Sequence, residues 1–255
     1  MRTIAIIPAR YASSRFPGKP LADMEGKPVI EWVYEGITGT GVVDEVLVAT
    51  DDERIAKAVN DFGGNYIMTR SNHRSGTERC CEAMEKLAAT GKMYDVVINV
   101  QGDEPFVDKK QIATLTETFT NGTTQIATLA KKIESSDELF SPNNVKVVID
   151  KQGKALLFSR QSLPYQRDIE PAQWVTTHTY YKHIGIYAYR SEVLSQIARL
   201  EEEPIELCEK LEQLRWMANG YRIDVRITDC ENIGIDTPED LAVAKEYLKK
   251  KRENN

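Results

Sequence analysis

The chain has 255 residues, enough for one large α/β domain, or a domain with a subdomain, around a sizeable core. Apolar residues make up 41% and charged residues 28%, the balance of a soluble globular protein. The net charge of −6 argues against a general nucleic-acid surface, and no stretch approaches the roughly 20 apolar residues of a membrane span.

Strand-like and helix-like stretches alternate along the first half. "TIAII" (3–7) reads as a buried strand and "PVIEWVYEGI" (28–37) as a helix. "EVLVAT" (45–50) precedes "DDERIAKAVNDFG" (51–63), which opens on acids and closes at Gly63, the expected helix punctuation. "NYIMT" (65–69) leads to "SGTERCCEAMEKLAAT" (75–90), where Ser75 and Glu78 have capping-box spacing. "YDVVINV" (94–100) is a further strand and "DKKQIATLTETF" (108–119) a further helix. Strands apolar on both faces, separated by helices, predict a mostly parallel sheet flanked by helices.

After about residue 125 the pattern changes. "NVKVVIDKQGKALLFSR" (144–160) reads as a hairpin turning near Gln152-Gly153, and "YYKHIGIYAYR" (180–190) as a tyrosine-rich strand. "PIELCEKLEQLRWMANG" (204–220) reads as helical and "YRIDVRIT" (221–228) as a strand. "TPEDLAVAKEYLKKKR" (237–252) is a closing helix with Thr237 as N-cap and Pro238 in its first position. The expected organisation is a single domain with a core from about 1–124 plus 221–255 and a smaller lobe from about 125–220. Cys80, Cys81, Cys208 and Cys230 form no CxxC pair, so they read as free thiols of a reducing cytoplasm. The first apolar run is too short for a secretory signal, and Pro8 interrupts it.

The loop "IIPARYASSRFPGKPL" (6–21) leaves the first strand and displays Arg10, Arg15 and Lys19. It has neither the GxxxxGK[ST] nor the GxGxxG pattern, so it offers side-chain cations where those loops offer backbone amides. In parallel sheets ligands bind beyond the carboxyl ends of the strands, which is where this loop lies. A nucleoside triphosphate carries a charge of about −4, and at about 4 Å and an effective dielectric near 20 each pair of unit charges is worth roughly 4 kcal/mol before desolvation. Asp103 in "VQGDEP" and Asp236 in "GIDTPEDL" follow strand-like stretches; brought together they make a hard oxygen site suited to Mg²⁺, with Glu104 a weaker candidate. Alone, Asp103 also reads as a turn acid and Asp236 as a residue just ahead of a helix cap. His183, Gly185 and Tyr187 alternate on one side of a strand, and Glu209 and Gln213, four apart, share one helix face. With Arg160 of "FSR" they could grip a polyhydroxylated acid, though a strand histidine and a solvated glutamate are the blander reading.

These segments, with "VATDDERI", "NVQGDEPF", "NVKVVID", "FSRQSLPY" and "LEQLR", occur in order from about residue 3 to 245 and resemble the 3-deoxy-manno-octulosonate (Kdo) cytidylyltransferases, the CMP-Kdo synthetases of Gram-negative bacteria. The resemblance implies a single nucleotidyltransferase domain of nucleotide-diphospho-sugar transferase-like fold, its core (about 1–124 plus 221–255) nucleotide-binding and its smaller second lobe (about 125–220) for sugar binding and dimerisation. It implies the reaction of CTP with Kdo to CMP-Kdo and diphosphate, for lipopolysaccharide synthesis. It implies that Arg10, Arg15 and Lys19 meet the CTP phosphates and that Ser75, Gly76 and Thr77, with the backbone near Ala9, hold cytidine. It further implies that Gln101 lies between nucleotide and sugar and that Asp103 and Asp236 carry Mg²⁺. Arg160, His183, Tyr187, Glu209 and Gln213 would face Kdo, with Glu206 and Glu212 competing for the role of Glu209. A homodimer is implied too, and Tyr165, Trp174, Tyr180, Tyr181 and Tyr189 are expected to exceed what a small lobe can bury. "YASSRFP" has no glycine before Gly18, which favours Kdo over sialic acid. The alternatives are another acid sugar, such as sialic acid or 8-amino-Kdo, and a non-catalytic nucleotide-binding regulator; a Rossmann oxidoreductase lacks its glycine fingerprint here. No nucleic-acid or membrane partner is expected.

Overall fold

In the computed structural model, which describes residues 1–12, 15–230 and 233–253, the opening apolar run is strand β1 (Thr3–Ala9), buried at every position but Pro8. Two short strands, β2 (Asp23–Met24) and β3 (Lys27–Pro28), pair as a hairpin ahead of helix α1 (Val29–Thr38). β4 (Glu45–Thr50), α2 (Glu53–Asp61), β5 (Tyr66–Met68), α3 (Gly76–Ala89), β6 (Val96–Asn99) and α4 (Lys109–Thr118) follow. β1 pairs in parallel with both β4 and β6, and β4 with β5, giving the order β6-β1-β4-β5. Ile4, Ile6 and Ile7 of β1 have no exposed surface, which explains why a sheet covered by helices on both sides demands a run without polar alternation. The helices begin where side chains can satisfy the free N–H groups: Asp52 accepts from the N–H of Arg54, and Ser75 from that of Glu78.

The chain passes within α4 from a first unit, Met1–Ala113 with Glu231–Asn255, to a second, Thr114–Cys230. The second unit holds β7 (Ile126–Lys132), α5 (Ser136–Phe140), β8 (Lys146–Ile149), β9 (Ala155–Ser159), α6 (Trp174–Thr177), β10 (Tyr181–Arg190), α7 (Ser191–Ile197), α8 (Pro204–Glu209), α9 (Gln213–Ala218) and β11 (Ile223–Ile227). Its sheet is mixed: β11 runs parallel to β7, β10 antiparallel to β7, and β8–β9 is an antiparallel hairpin. The hairpin turns where the sequence suggests, with Gly153 at φ 78° and the Asp150 carboxylate accepting from the N–H groups of Gln152 and Lys154. The first unit is completed by α10 (Pro238–Glu253), which follows Thr237 as expected, its hydroxyl accepting from the N–H of Asp240.

Three expectations change. The core was expected to run to residue 124 and resume at 221; segments 114–124 and 221–230 instead belong to the second unit, because β11 pairs with β7 over Ile223–Ile227 and Arg226 Nε donates to Thr118. The helix expected over 204–220 is two helices. Lys210 adopts a left-handed conformation (φ 54°) between them, so Glu209 ends one and Gln213 begins the next, and they do not share a helix face. Finally, Trp174, Tyr180 and Tyr189 are buried inside the second unit itself; Trp174 and Tyr180 form a core cluster with Ile133 and Leu139. Of the aromatic set, Tyr165 is the strongly exposed one, edge-on to Trp174.

Candidate active site

The carboxyl ends of β1 and β6 open onto a cavity of about 280 Å³ in the first unit. Two glycines let its walls close on β1. A Cβ on Gly76 would stand 3.1 Å from Pro8 Cγ, and one on Gly102 3.0 Å from the Pro8 carbonyl oxygen. Only a residue without a side chain permits such an approach of loop to strand. Ala9, Ser75 and Gln101 line the same space, whereas Thr77 is buried in the first turn of α3 and neither it nor Glu104 contributes to the lining.

Arg10, Arg15 and Lys19 all face this cavity, together with Asp103 and Asp236. The Lys19 ammonium donates to Asp103 at 2.6 Å and to Asp236 at 3.2 Å, and Arg15 pairs with Asp236 at 3.0 Å. The two carboxylates, distant in sequence, are held side by side because the Ile235 N–H donates to the Asp103 carbonyl at 2.9 Å. Asp236 is steadied from the other side, its N–H donating to Asp240. Both carboxylates can thus share one cation. Among the described residues no set of three His, Cys, Asp or Glu side chains converges as a metal centre. Two carboxylates with the remaining positions left to phosphate oxygens and water are what Mg²⁺ accepts in nucleotide sites.

Three further polar side chains line the cavity that the sequence reading did not assign: His73, Arg74 and Arg79. Arg79 is buried, donates to Thr69 at 2.6 Å and pairs with Asp51 at 3.0 Å, just past the end of β4. His73 contacts the Glu82 carboxylate. Burial raises the Glu82 pKa, but hydrogen bonds from Lys86, the Arg70 backbone and His73 outweigh it and bring the group down to about 2. The signal available was the position of "SGTER" and "VATDD" at the same sheet edge as the cationic loop.

In the second unit, β10 and β7 bring the sugar-side candidates together. Between Ile184 and Tyr187 the β10 register advances three residues for one on β7, an insertion of two. An even insertion preserves the alternation, so His183 and Tyr187 still share a face; their rings lie 5.1 Å apart. Thr128 Oγ1 lies 2.8 Å from the Ile186 carbonyl, 3.1 Å from that of Ile184 and 3.0 Å from His183 Nε2. The single hydroxyl proton goes to a carbonyl, so Nε2 donates to Thr128 and Nδ1 is the acceptor of a neutral ring. Burial holds the imidazole neutral, its pKa pushed down to about 3. The Tyr187 hydroxyl is buried without a hydrogen-bond partner among the described residues, and desolvation raises its pKa.

The three competing glutamates separate by their partners. Glu206 and Glu212 both pair with buried Arg215, at 3.2 and 3.0 Å. Glu209 instead accepts from Ser159 Oγ at 2.6 Å and from the Arg160 N–H at 2.9 Å, while Arg160 Nε donates to the Glu209 carbonyl at 2.8 Å. Glu209 and Arg160 therefore form one unit at the end of β9, and Gln213 is buried at the start of α9. Lys146 was also unassigned: it is 1% exposed and donates to the Ser141 and Asn144 carbonyls, with desolvation lowering its pKa.

A sheet edge that gathers cations around paired carboxylates suits a polyphosphate with a hard divalent ion, the ligand pair of nucleotidyltransferases. Residues 4–227 match the family model described as Cytidylyltransferase. The chain is 54% identical to a 3-deoxy-manno-octulosonate cytidylyltransferase of Parabacteroides distasonis, over 97% of this chain and 98% of that one. It is 48% identical to the protein of that name from Thermodesulfovibrio yellowstonii, over 97% and 98%. A solved CMP:2-keto-3-deoxy-manno-octonic acid synthetase complexed with CTP superposes with a TM-score of 0.90 at 41% identity, covering 98% of this chain and all (100%) of that one. A glucose-1-phosphate thymidylyltransferase of Bacillus anthracis shares the fold at a TM-score of 0.65 and 17% identity. The chain belongs to the 3-deoxy-manno-octulosonate cytidylyltransferase family.

Proposed function

We infer that the protein transfers the cytidylyl group of CTP to Kdo, releasing diphosphate and forming CMP-Kdo. The observation that carries this reading is the pairing of Lys19 with both Asp103 and Asp236 in a chain 54% identical to enzymes of that name. Arg10, Arg15 and Lys19 neutralise the triphosphate and the charge that grows on the departing diphosphate. Ser75, Gly76 and Ala9 bound the cytidine, and Gln101 meets both nucleotide and sugar. Asp103 and Asp236 would hold Mg²⁺, which when bound screens and orients the phosphates. Arg160 attracts the sugar carboxylate. His183, through its Nδ1 lone pair, and the Tyr187 hydroxyl receive sugar hydroxyls, and Gln213 and Glu209 complete that set. The anomeric hydroxyl attacks the α-phosphorus in line with the departing diphosphate, and the chain contributes position and charge rather than a covalent intermediate.

CMP-Kdo feeds lipopolysaccharide synthesis. A cytoplasmic protein fits the four free thiols, and no helix among the described residues is long and apolar enough to cross a membrane. A homodimer is supported by the exposed Phe140 and Tyr165 that flank Trp174. Diphosphate release with CTP, Mg²⁺ and a panel of acid sugars tests the activity: Kdo should exceed sialic acid and 8-amino-Kdo, and no release above the sugar-free control would sink the reading in favour of a regulator. Light scattering should give about twice 28.8 kDa; a monomer mass at micromolar concentration rejects the dimer.

A further inference from the structure

Beside the cavity lies a contact that none of the assigned roles uses. The Arg54 guanidinium carbon stands 3.3 Å from the centroid of the Tyr11 ring. Arg54 is not loose: its Nε and one terminal nitrogen bind both oxygens of Asp52, at 2.9 and 2.7 Å. Asp52 is itself fixed as the N-cap of α2. The topology creates the meeting. Ala9 of β1 is the register partner of Thr50 of β4, so Tyr11 and Asp52 each lie two residues beyond the same rung of the ladder.

Gly18 also packs closely against the Tyr11 ring. A Cβ on Gly18 would stand 3.0 Å from the ring, and Gly18 has φ +74°, which disfavours any side chain. The Gly18 N–H donates to the Tyr11 carbonyl at 2.9 Å. Tyr11 and Gly18 thus close the base of the cationic loop, and the residues immediately outside that closure are Arg10 and Lys19. Fixing the closure fixes the separation of two cations that face the cavity.

We propose that Arg54 is a positioning residue for the nucleotide: seated on Asp52, it pins the Tyr11 ring against Gly18 and so sets the spacing of Arg10 and Lys19. This rests on the reading that those cations meet the CTP phosphates. Arg54 projects from the surface and does not line the cavity; its effect passes through the ring. A planar guanidinium is required, because it must grip a carboxylate in its plane and cover an aromatic face at once, which an ammonium cannot do.

The test is CTP affinity by titration calorimetry with Mg²⁺, alongside steady-state kinetics. Arg54→Ala should weaken CTP binding by about 2- to 5-fold, the scale of an exposed cation–π contact. It should raise the KM for CTP equally, leave the apparent Kdo constant unchanged and leave kcat at saturating CTP within about 2-fold. Arg54→Lys should resemble Arg54→Ala. Tyr11→Leu should weaken CTP binding more, and adding Arg54→Ala to it should cost nothing further, the non-additivity of two groups acting through one contact. Unchanged CTP affinity in Arg54→Ala, full rescue by lysine, or additive losses in the double variant would each overturn the proposal. Lys19→Met separates the two readings. If it binds CTP normally, the nucleotide assignment itself fails; if it loses CTP while Arg54→Ala does not, only the positioning role fails.

Discussion

The two units gather their candidate site groups by opposite electrostatic means. In the first, charge meets charge at a partly open edge: Lys19 and Arg15 against Asp103 and Asp236, with Asp236 and Arg15 about half or more exposed. In the second, apart from the hydrogen-bonded Arg160 and Glu209, the groups are neutral and sheltered: a His183 ring without its second proton, a buried Tyr187 hydroxyl, a buried Gln213. Charge compensation tolerates solvent and some imprecision, so it suits a flexible polyphosphate. Neutral hydrogen bonding in a dry site demands a matched partner for each group, so it suits the recognition of one sugar among many.

The largest expected effect breaks the first half of this contrast. Asp103→Asn and Asp236→Asn should each lower kcat by about 10²- to 10³-fold, the scale of losing a group aimed at transition-state charge. Circular dichroism should remain native. Near-native turnover at ordinary Mg²⁺ would remove that residue from the metal site.

Next come the sugar-side groups. Gln213→Ala and His183→Ala should weaken the use of Kdo by about 5- to 150-fold, the value of a hydrogen bond to a buried polar group, while CTP affinity without sugar stays unchanged. A loss of CTP affinity with a normal Kdo constant would dissolve the division between the two halves.

Tyr187→Phe sharpens the contrast further, because its two consequences have opposite signs. Removing a buried hydroxyl with no partner relieves a desolvation cost of about 1–3 kcal/mol, so the melting temperature should rise as the apparent Kdo constant worsens. A variant that melts lower, with Kdo use intact, would show that the hydroxyl serves the fold.

The smallest effect is in pH dependence. A histidine whose folded-state pKa is pushed below its ordinary value near 6.5 is neutral in the fold and takes up its proton more readily when unfolded. Its contribution is therefore lost as pH falls from about 6.5 toward about 3, at no more than about 1.4 kcal/mol per pH unit. His183→Gln should flatten the fall of melting temperature between about pH 6.5 and 4.5; parallel curves for the two proteins would mean that the imidazole is charged in the fold.

What the sequence made legible was what local pattern controls. Runs apolar on both faces, the acids at Asp52, and Thr237 before Pro238 located strands and caps because each is decided within a few residues. The cationic loop could be placed at a functional edge because a parallel sheet fixes where its loops emerge. The break at Lys210 was not legible: helix periodicity from Glu206 to Arg215 is good on both sides, and only the grip of Glu209 on Ser159 and Arg160 and of Arg215 on Glu206 and Glu212 shows why one turn opens. Tertiary contacts there override propensity. Trp174, Tyr180 and Tyr189 misled for a related reason: composition counts aromatics but does not say which face of a strand or turn they occupy.

The hydrogen bond from Ile235 to Asp103 has a consequence for synthesis on the ribosome. The first unit is written in two instalments, with the 117 residues from 114 to 230 between them. At about 5–20 residues per second, a nascent chain carries Asp103 and Lys19 for roughly 7–27 s before Asp236 emerges. During that interval the cations lack one of their two carboxylates, and nothing on the growing chain can complete the pair. The paired-carboxylate arrangement is therefore complete only once the segment after residue 230 has been made.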